Sequence, residues 1–100
     1  MIKVIIYEDN TTLRESLSAL IGGTDGFALA GAFMNCDHIE QDVDEGMPNV
    51  ILMDIDMPGT NGIDAVAIVK AVSPKTQVIM LTVFDNEEKI FNAIRNGASG

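Results

Sequence analysis

Apolar residues fall along this chain in two patterns that take turns. Short unbroken runs, Lys3 to Tyr7, Phe27 to Phe33, Asn49 to Met53 and Gln77 to Leu81, stop at polar or turn-forming residues and predict four buried strands. The stretches between them repeat apolar positions at helical spacing. After Glu8-Asp9-Asn10, a helix capped by Asn10 or Thr11 sets Leu13, Leu17, Leu20 and Ile21 on one face; Thr12 and Glu15 have capping-box spacing, and Gly22-Gly23 ends it. Asn35 to Glu45 predicts a second helix with Cys36, Ile39 and Val43 inward. Its other side carries Asp37, Glu40, Asp42, Asp44 and Glu45, which read as a solvated face. Gly62 to Val72 predicts a third helix with Ile63, Val66, Ala67 and Val69 inward, broken by Ser73-Pro74-Lys75. Asp85 with Glu88 opens a fourth, from about Asn86 to Asn96, with Gly97 as terminator.

Strict alternation of strand and helix calls for a parallel sheet with right-handed crossovers and helices on both faces. All strand C-terminal ends then share one edge, where open α/β sheets bind ligands. Glu8 and Asp9 follow strand one, Asp54 follows strand three and Thr82 follows strand four, so all four arrive at that edge beside helix N-termini that favour anions. Asp54 is the candidate reacting group, because the strand that delivers it runs at once into Pro58, Gly59 and Gly62, which bend the backbone into a tight loop. Three crowded carboxylates repel one another, and a hard cation with oxygen ligands, magnesium before others, relieves the repulsion. A bound dication draws in phosphate, and a carboxylate beside it can attack phosphorus to form an aspartyl phosphate.

Composition narrows the field further. One hundred residues, 47% of them apolar, make one globular domain, and a net charge of -9 with only six Lys and Arg argues against a grip on nucleic acid. Cys36 is the single cysteine, read as a buried and inert thiol, and His38 lacks partners at metal spacing. No stretch approaches the ~18 apolar residues of a membrane helix, and no signal segment opens the chain; a cytoplasmic setting is expected.

The Glu8-Asp9 pair, Asp54, the Met57-Pro58-Gly59 turn with Gly62, and Thr82 together resemble, over the whole chain, the receiver domain of two-component response regulators. The resemblance implies a flavodoxin-like, doubly wound parallel sheet in strand order 2-1-3-4, with the family's fifth strand and fifth helix missing. It implies that Asp54 accepts a phosphoryl group from a partner histidine kinase. Asp9 would bind Mg2+ directly, Glu8 largely through water, and Asp54 and the backbone carbonyl of Asp56 would be further ligands. Thr82 would be the switch residue, its hydroxyl turning toward the phosphoryl oxygen. The surroundings of Asp54 are similar to those in helix-turn-helix regulators of the nitrate and quorum-sensing type, so transcriptional control is expected of a longer parent protein and no nucleic-acid contact of this chain.

The family's fifth strand bears a lysine that pairs with the phosphoryl group, and its fifth helix packs beside helix one. The sequence ends at Gly100 before either, and Lys89 cannot supply the cation. Residues 1 to 100 are therefore expected to be a receiver lacking its C-terminal strand and helix. Bared apolar surface on helix one and strand four would leave it marginally stable, self-associating, or swapping elements with a second copy. Val83 stands where the family more often has a small residue, which predicts an altered phosphoryl lifetime.

Two other classes compete. Asp54-Ile55-Asp56 is also an Asp-x-Asp at a strand end, similar to haloacid-dehalogenase phosphatases and to the Toprim fold. The former place a threonine or valine where Pro58 stands, and the latter act on nucleic acid, against the charge. The other class is an interaction module that no longer takes phosphate.

Overall fold

A computed structural model describes residues 1–54 and 62–81, and the side chains of all of these but Gly62 and Ile63. The expected fourth helix, the turn at Met57-Pro58-Gly59, Asp56, Thr82, Val83, Phe84 and Lys89 lie outside the described residues.

Among the described residues seven elements alternate: β1 (Ile2–Tyr7), α1 (Thr11–Gly22), β2 (Phe27–Phe33), α2 (Ile39–Gly46), β3 (Val50–Asp54), α3 (Gly62–Val72) and β4 (Gln77–Leu81). The strands form one sheet in the order β2-β1-β3-β4, and every pairing is parallel, as the alternation and the resemblance both imply. Along β1 and β3, Val4 faces Val50 and Tyr7 faces Met53; along β3 and β4, Asp54 faces Leu81.

Strand periodicity sends alternate side chains to opposite faces. On one face Ile5, Tyr7, Ile51, Met53 and Val78 join Ile39 and Val43 of α2 and Ala65, Val66 and Val69 of α3 in one buried cluster. Val4 and Ile6 are buried toward the other face, and α1 packs across β1 and β2. Fully burying a residue of this size contributes about 1.5–3 kcal/mol, so the two central strands hold the sheet together. The strand carrying Asp54 is thus anchored on both sides.

Burial departs from the expectation of four buried strands. β2 is an edge strand whose Leu29 and Ala30 are exposed, and β4 buries Val78 while leaving Ile79 exposed. Only a strand covered on both faces hides every residue, and in this order β1 comes nearest to that. α1 buries no residue: Leu17 and Ile21 are half-buried, and Leu13 and Leu20 are 39% and 64% exposed. On α3 Val66 and Val69 are inward as expected, but the alanine buried with them is Ala65, and Ala67 is exposed.

The cap of α1 is one of the two expected, while its capping box and the start of α2 are corrected. α1 is capped by Asn10, whose side chain accepts the Leu13 N–H at 3.0 Å, so Thr12 lies inside the helix and the Thr12–Glu15 box does not form the cap. α2 begins at Ile39 instead of Asn35. The Asn35 side chain accepts the Asp37 N–H at 3.1 Å, and this local turn takes the chain out of helical geometry before His38. Met47 then closes α2 in the left-handed region, at φ 45°.

Candidate functional site

Three of the predicted site residues converge. Glu8 directly follows β1, Asp9 comes next, and Asp54 ends β3; continuing the β1–β3 register by one step sets Glu8 level with Asp54. Carboxylate oxygens from Glu8, Asp9 and Asp54 all lie within 4.8 Å of one another. Glu8 is 4% exposed, Asp54 is half-buried and Asp9 is exposed, so the cluster opens to solvent on the Asp9 side.

The local chain holds Glu8 firmly. Its N–H donates to Phe33 O at 3.0 Å, extending the β1–β2 ladder by one bond, and its Oε1 accepts the Asn10 N–H at 3.1 Å. The aromatic pair beneath it depends on β2. The register slips by one residue, with Val4 opposite Leu29 and Ile5 opposite Gly31, so Ala30 is an extra residue. A Cβ at Gly31 would lie 2.7 Å from the Phe33 ring, so only glycine lets that ring fold back. Phe33 then stacks on Tyr7 with centroids 5.4 Å apart and planes at 26°.

Tyr7, Asp42 and Cys36 complete the floor. The buried Tyr7 hydroxyl donates to Asp42 Oδ2 at 2.9 Å, which removes Asp42 from the solvated acidic face expected of helix two. Burial, the hydrogen bond to Asp42 and that residue's charge hold the phenol far above its ordinary range. Cys36 is buried as expected, 3.4 Å from Met53 Sδ, and burial among acids pushes its thiol up to about 12. His38 is exposed.

Electrostatics at Glu8 follow from crowding. Burial pushes its carboxyl up to about 7 from an ordinary 4.5; the Asn10 N–H pulls the other way, while the charge of Asp54 and hydrogen bonding with the Asp9 and Asp54 carboxyls add to the rise. The donor set is oxygen only and acidic, which suits a hard dication. Six ligands at ~2.1 Å stand roughly 3–4 Å apart around magnesium, so oxygens already within 4.8 Å need little closure to share one ion.

One contact was not singled out by sequence reasoning. Arg14, in the first turn of α1, donates from Nη1 to the Glu8 carbonyl oxygen at 2.9 Å. A basic residue shortly after an acidic pair, in a chain with six bases, is the signal that could have found it.

Comparison with known proteins agrees with this geometry. The response regulator receiver domain profile matches residues 4–100. Oxygen regulatory protein NreC of Staphylococcus haemolyticus is 30% identical over 99 residues, and that of Staphylococcus aureus (strain JH9) is 32% identical over 99 residues. Each alignment covers 98% of this chain and 46% of the relative, so the chain spans about half the length of these proteins. Among solved structures, the response regulator domain of Thermotoga maritima CheB is similar with a TM-score of 0.89 and 31% identity, covering 99% of this chain and 75% of that one. A LuxR-family DNA-binding response regulator from Staphylococcus aureus has a TM-score of 0.89 and 28% identity, over 98% of this chain and 82% of that one. No helix among the described residues is long and apolar enough to cross a membrane. Fold, acidic edge and sequence agree, and the chain belongs to the response regulator receiver family.

Proposed function

We propose that Asp54 is the phosphoacceptor of a magnesium-dependent receiver, that Glu8, Asp9 and Asp54 hold the ion with the Asp56 carbonyl, and that Thr82 transmits the phosphorylated state. The observation that carries this reading is the convergence of the three carboxylates within 4.8 Å at the ligand-binding edge of a receiver sheet. An Asp54 oxygen attacks phosphorus in line, the bond from phosphorus to the donor breaks, and the leaving group departs with the electron pair. Magnesium supplies charge neutralisation, while the protein supplies position. In the cell the donor is a histidine kinase. Since the similar proteins are regulators with DNA-binding members, the parent protein controls transcription. The same reading makes residues 1 to 100 a receiver unit whose fifth strand and helix are not among them, a signalling domain of the cytoplasm and not a turnover enzyme. Self-association through the exposed face of α1 belongs to it.

The test is an intact-mass measurement after incubation with Mg2+ and a small acyl phosphate. The wild-type chain gains one phosphoryl group, and Asp54→Asn gains none. A folded wild-type protein that gains nothing would favour either the interaction module or a receiver crippled by the want of the fifth-strand lysine, and supplying the fifth strand and helix separates the two.

A further inference from the structure

We propose that Arg14 is a positioning residue for the carboxylate cluster: from α1 its guanidinium fixes the Glu8–Asp9 peptide and so sets the aim of the two acidic side chains that flank it. The proposal rests on reading Glu8, Asp9 and Asp54 as the magnesium site.

The geometry around residues 8 to 10 leaves that peptide few ways to move. Glu8 N–H donates to Phe33 O, Arg14 Nη1 donates to Glu8 O at 2.9 Å, and Asn10 N–H donates back to Glu8 Oε1 at 3.1 Å. Arg14 itself is seated by α1: its N–H donates to Asn10 O at 2.9 Å, its carbonyl accepts Ser18 Oγ at 2.7 Å, and Nη2 lies 3.5 Å from Thr11 Oγ1. One half-buried side chain thus links the first turn of the helix to the last residue before Asp9. The planar guanidinium keeps a fixed orientation on a carbonyl, and a charged donor makes the stronger bond.

Position at this edge singles Arg14 out. Among the described residues the other Lys and Arg side chains sit toward the opposite end of the sheet: Lys3 is the second residue of β1, Lys75 precedes β4, and Lys70 Nζ donates to Thr76 O at 2.7 Å. Among the described residues Arg14 alone brings a positively charged side chain to the acidic side. That charge works against a bound cation, so a purely electrostatic role and a positioning role predict opposite signs. If Arg14 acts by charge, its removal tightens Mg2+ binding. If it acts by holding the peptide, its removal weakens it.

Calorimetric titration of the chain with MgCl2 decides the sign. Arg14→Met, which keeps the stem and loses the donor, is expected to weaken binding about tenfold, in the range found for groups that orient metal ligands, and Arg14→Lys to restore most of the loss. Unchanged or tighter binding by folded Arg14→Met overturns the proposal. Amide hydrogen exchange without metal gives a second, independent readout. In Arg14→Met the Asn10 N–H exchanges faster while the Ile6 N–H inside β1 keeps its rate; equal acceleration of both means a merely structural role and also overturns it. Should Arg14→Met not fold, Arg14→Gln, too short to reach the Glu8 carbonyl, takes its place. If the wild-type chain binds no Mg2+, the metal reading fails, and Asn10 exchange still decides whether Arg14 fixes this loop.

Discussion

Single side chains below the site do work that their identities conceal. Tyr7 looks like the last residue of an apolar run, yet its hydroxyl ties β1 to α2 through Asp42, directly before the residue that enters the acidic cluster. Tyr7→Phe keeps the ring stack on Phe33 and deletes that bond. Because Asp42 is only half-buried and can take water in exchange, the expected cost is about 1 kcal/mol of unfolding free energy by urea denaturation, not the larger penalty of a stranded buried charge. Sequence spacing makes Asp42 one of five solvated acids, and the other four, Asp37, Glu40, Asp44 and Glu45, are exposed. The fifth differs because it lies one turn after His38 on the flank of α2 nearest Tyr7, and no local pattern announces a phenol that arrives from another strand.

Elements were legible in the sequence to the degree that they are punctuated locally. The runs Phe27–Phe33, Gly62–Val72 and Gln77–Leu81 coincide with β2, α3 and β4, since glycine, proline and abrupt polarity mark their ends. α2 starts one turn later than its spacing predicts because an Asn35 turn and a helix start draw on the same residue types. Burial was less legible than element type, being set by neighbours: β2 and β4 stand at the ends of the described strand order, and their apolar composition does not say so. The carboxylate cluster was legible because a parallel sheet gathers strand ends whatever their separation in sequence. Arg14 was not, since a side chain reaching back across six residues leaves no periodic signal. α1 carries the consequence of incomplete cover. Leu13 and Leu20 are exposed one above the other on the stripe that also holds Leu17, and Ile79 of β4 is 41% exposed. Burying such residues against a second copy releases apolar surface from water. Sedimentation equilibrium is expected to show reversible association at micromolar concentration, reduced in Leu20→Lys; a monodisperse monomer at all concentrations would remove this reading.

At the scale of the whole molecule, charge decides how folding, protons and metal are linked. The chain carries -9, and the most buried acid among the described residues, Glu8, sits in the cluster. A carboxyl at 4.5 in the unfolded chain and about 7 in the folded one binds its proton more tightly when folded. Its contribution to stability is therefore complete below pH 4.5 and is lost as pH rises through 7, the reverse of a salt-bridged acid. Without metal, the melting temperature should fall between pH 5 and pH 8, with Glu8 supplying on the order of 2 kcal/mol of that loss. Glu8→Gln, which cannot ionise, should flatten this part of the slope and leave the part owed to general repulsion among the acids. Magnesium acts in the opposite direction, because it competes with the Glu8 proton. Its stabilisation should be small at pH 5.5 and grow toward pH 8, where the carboxylate is free to serve the ion, and removal of the metal by chelator at pH 8 should return the melting temperature to the metal-free value. The comparison needs four thermal melts, with and without Mg2+ at the two pH values, repeated in Glu8→Gln. A magnesium shift that is the same at both pH values would separate Glu8 from the metal, leaving Asp9 and Asp54 as its only described carboxylate ligands.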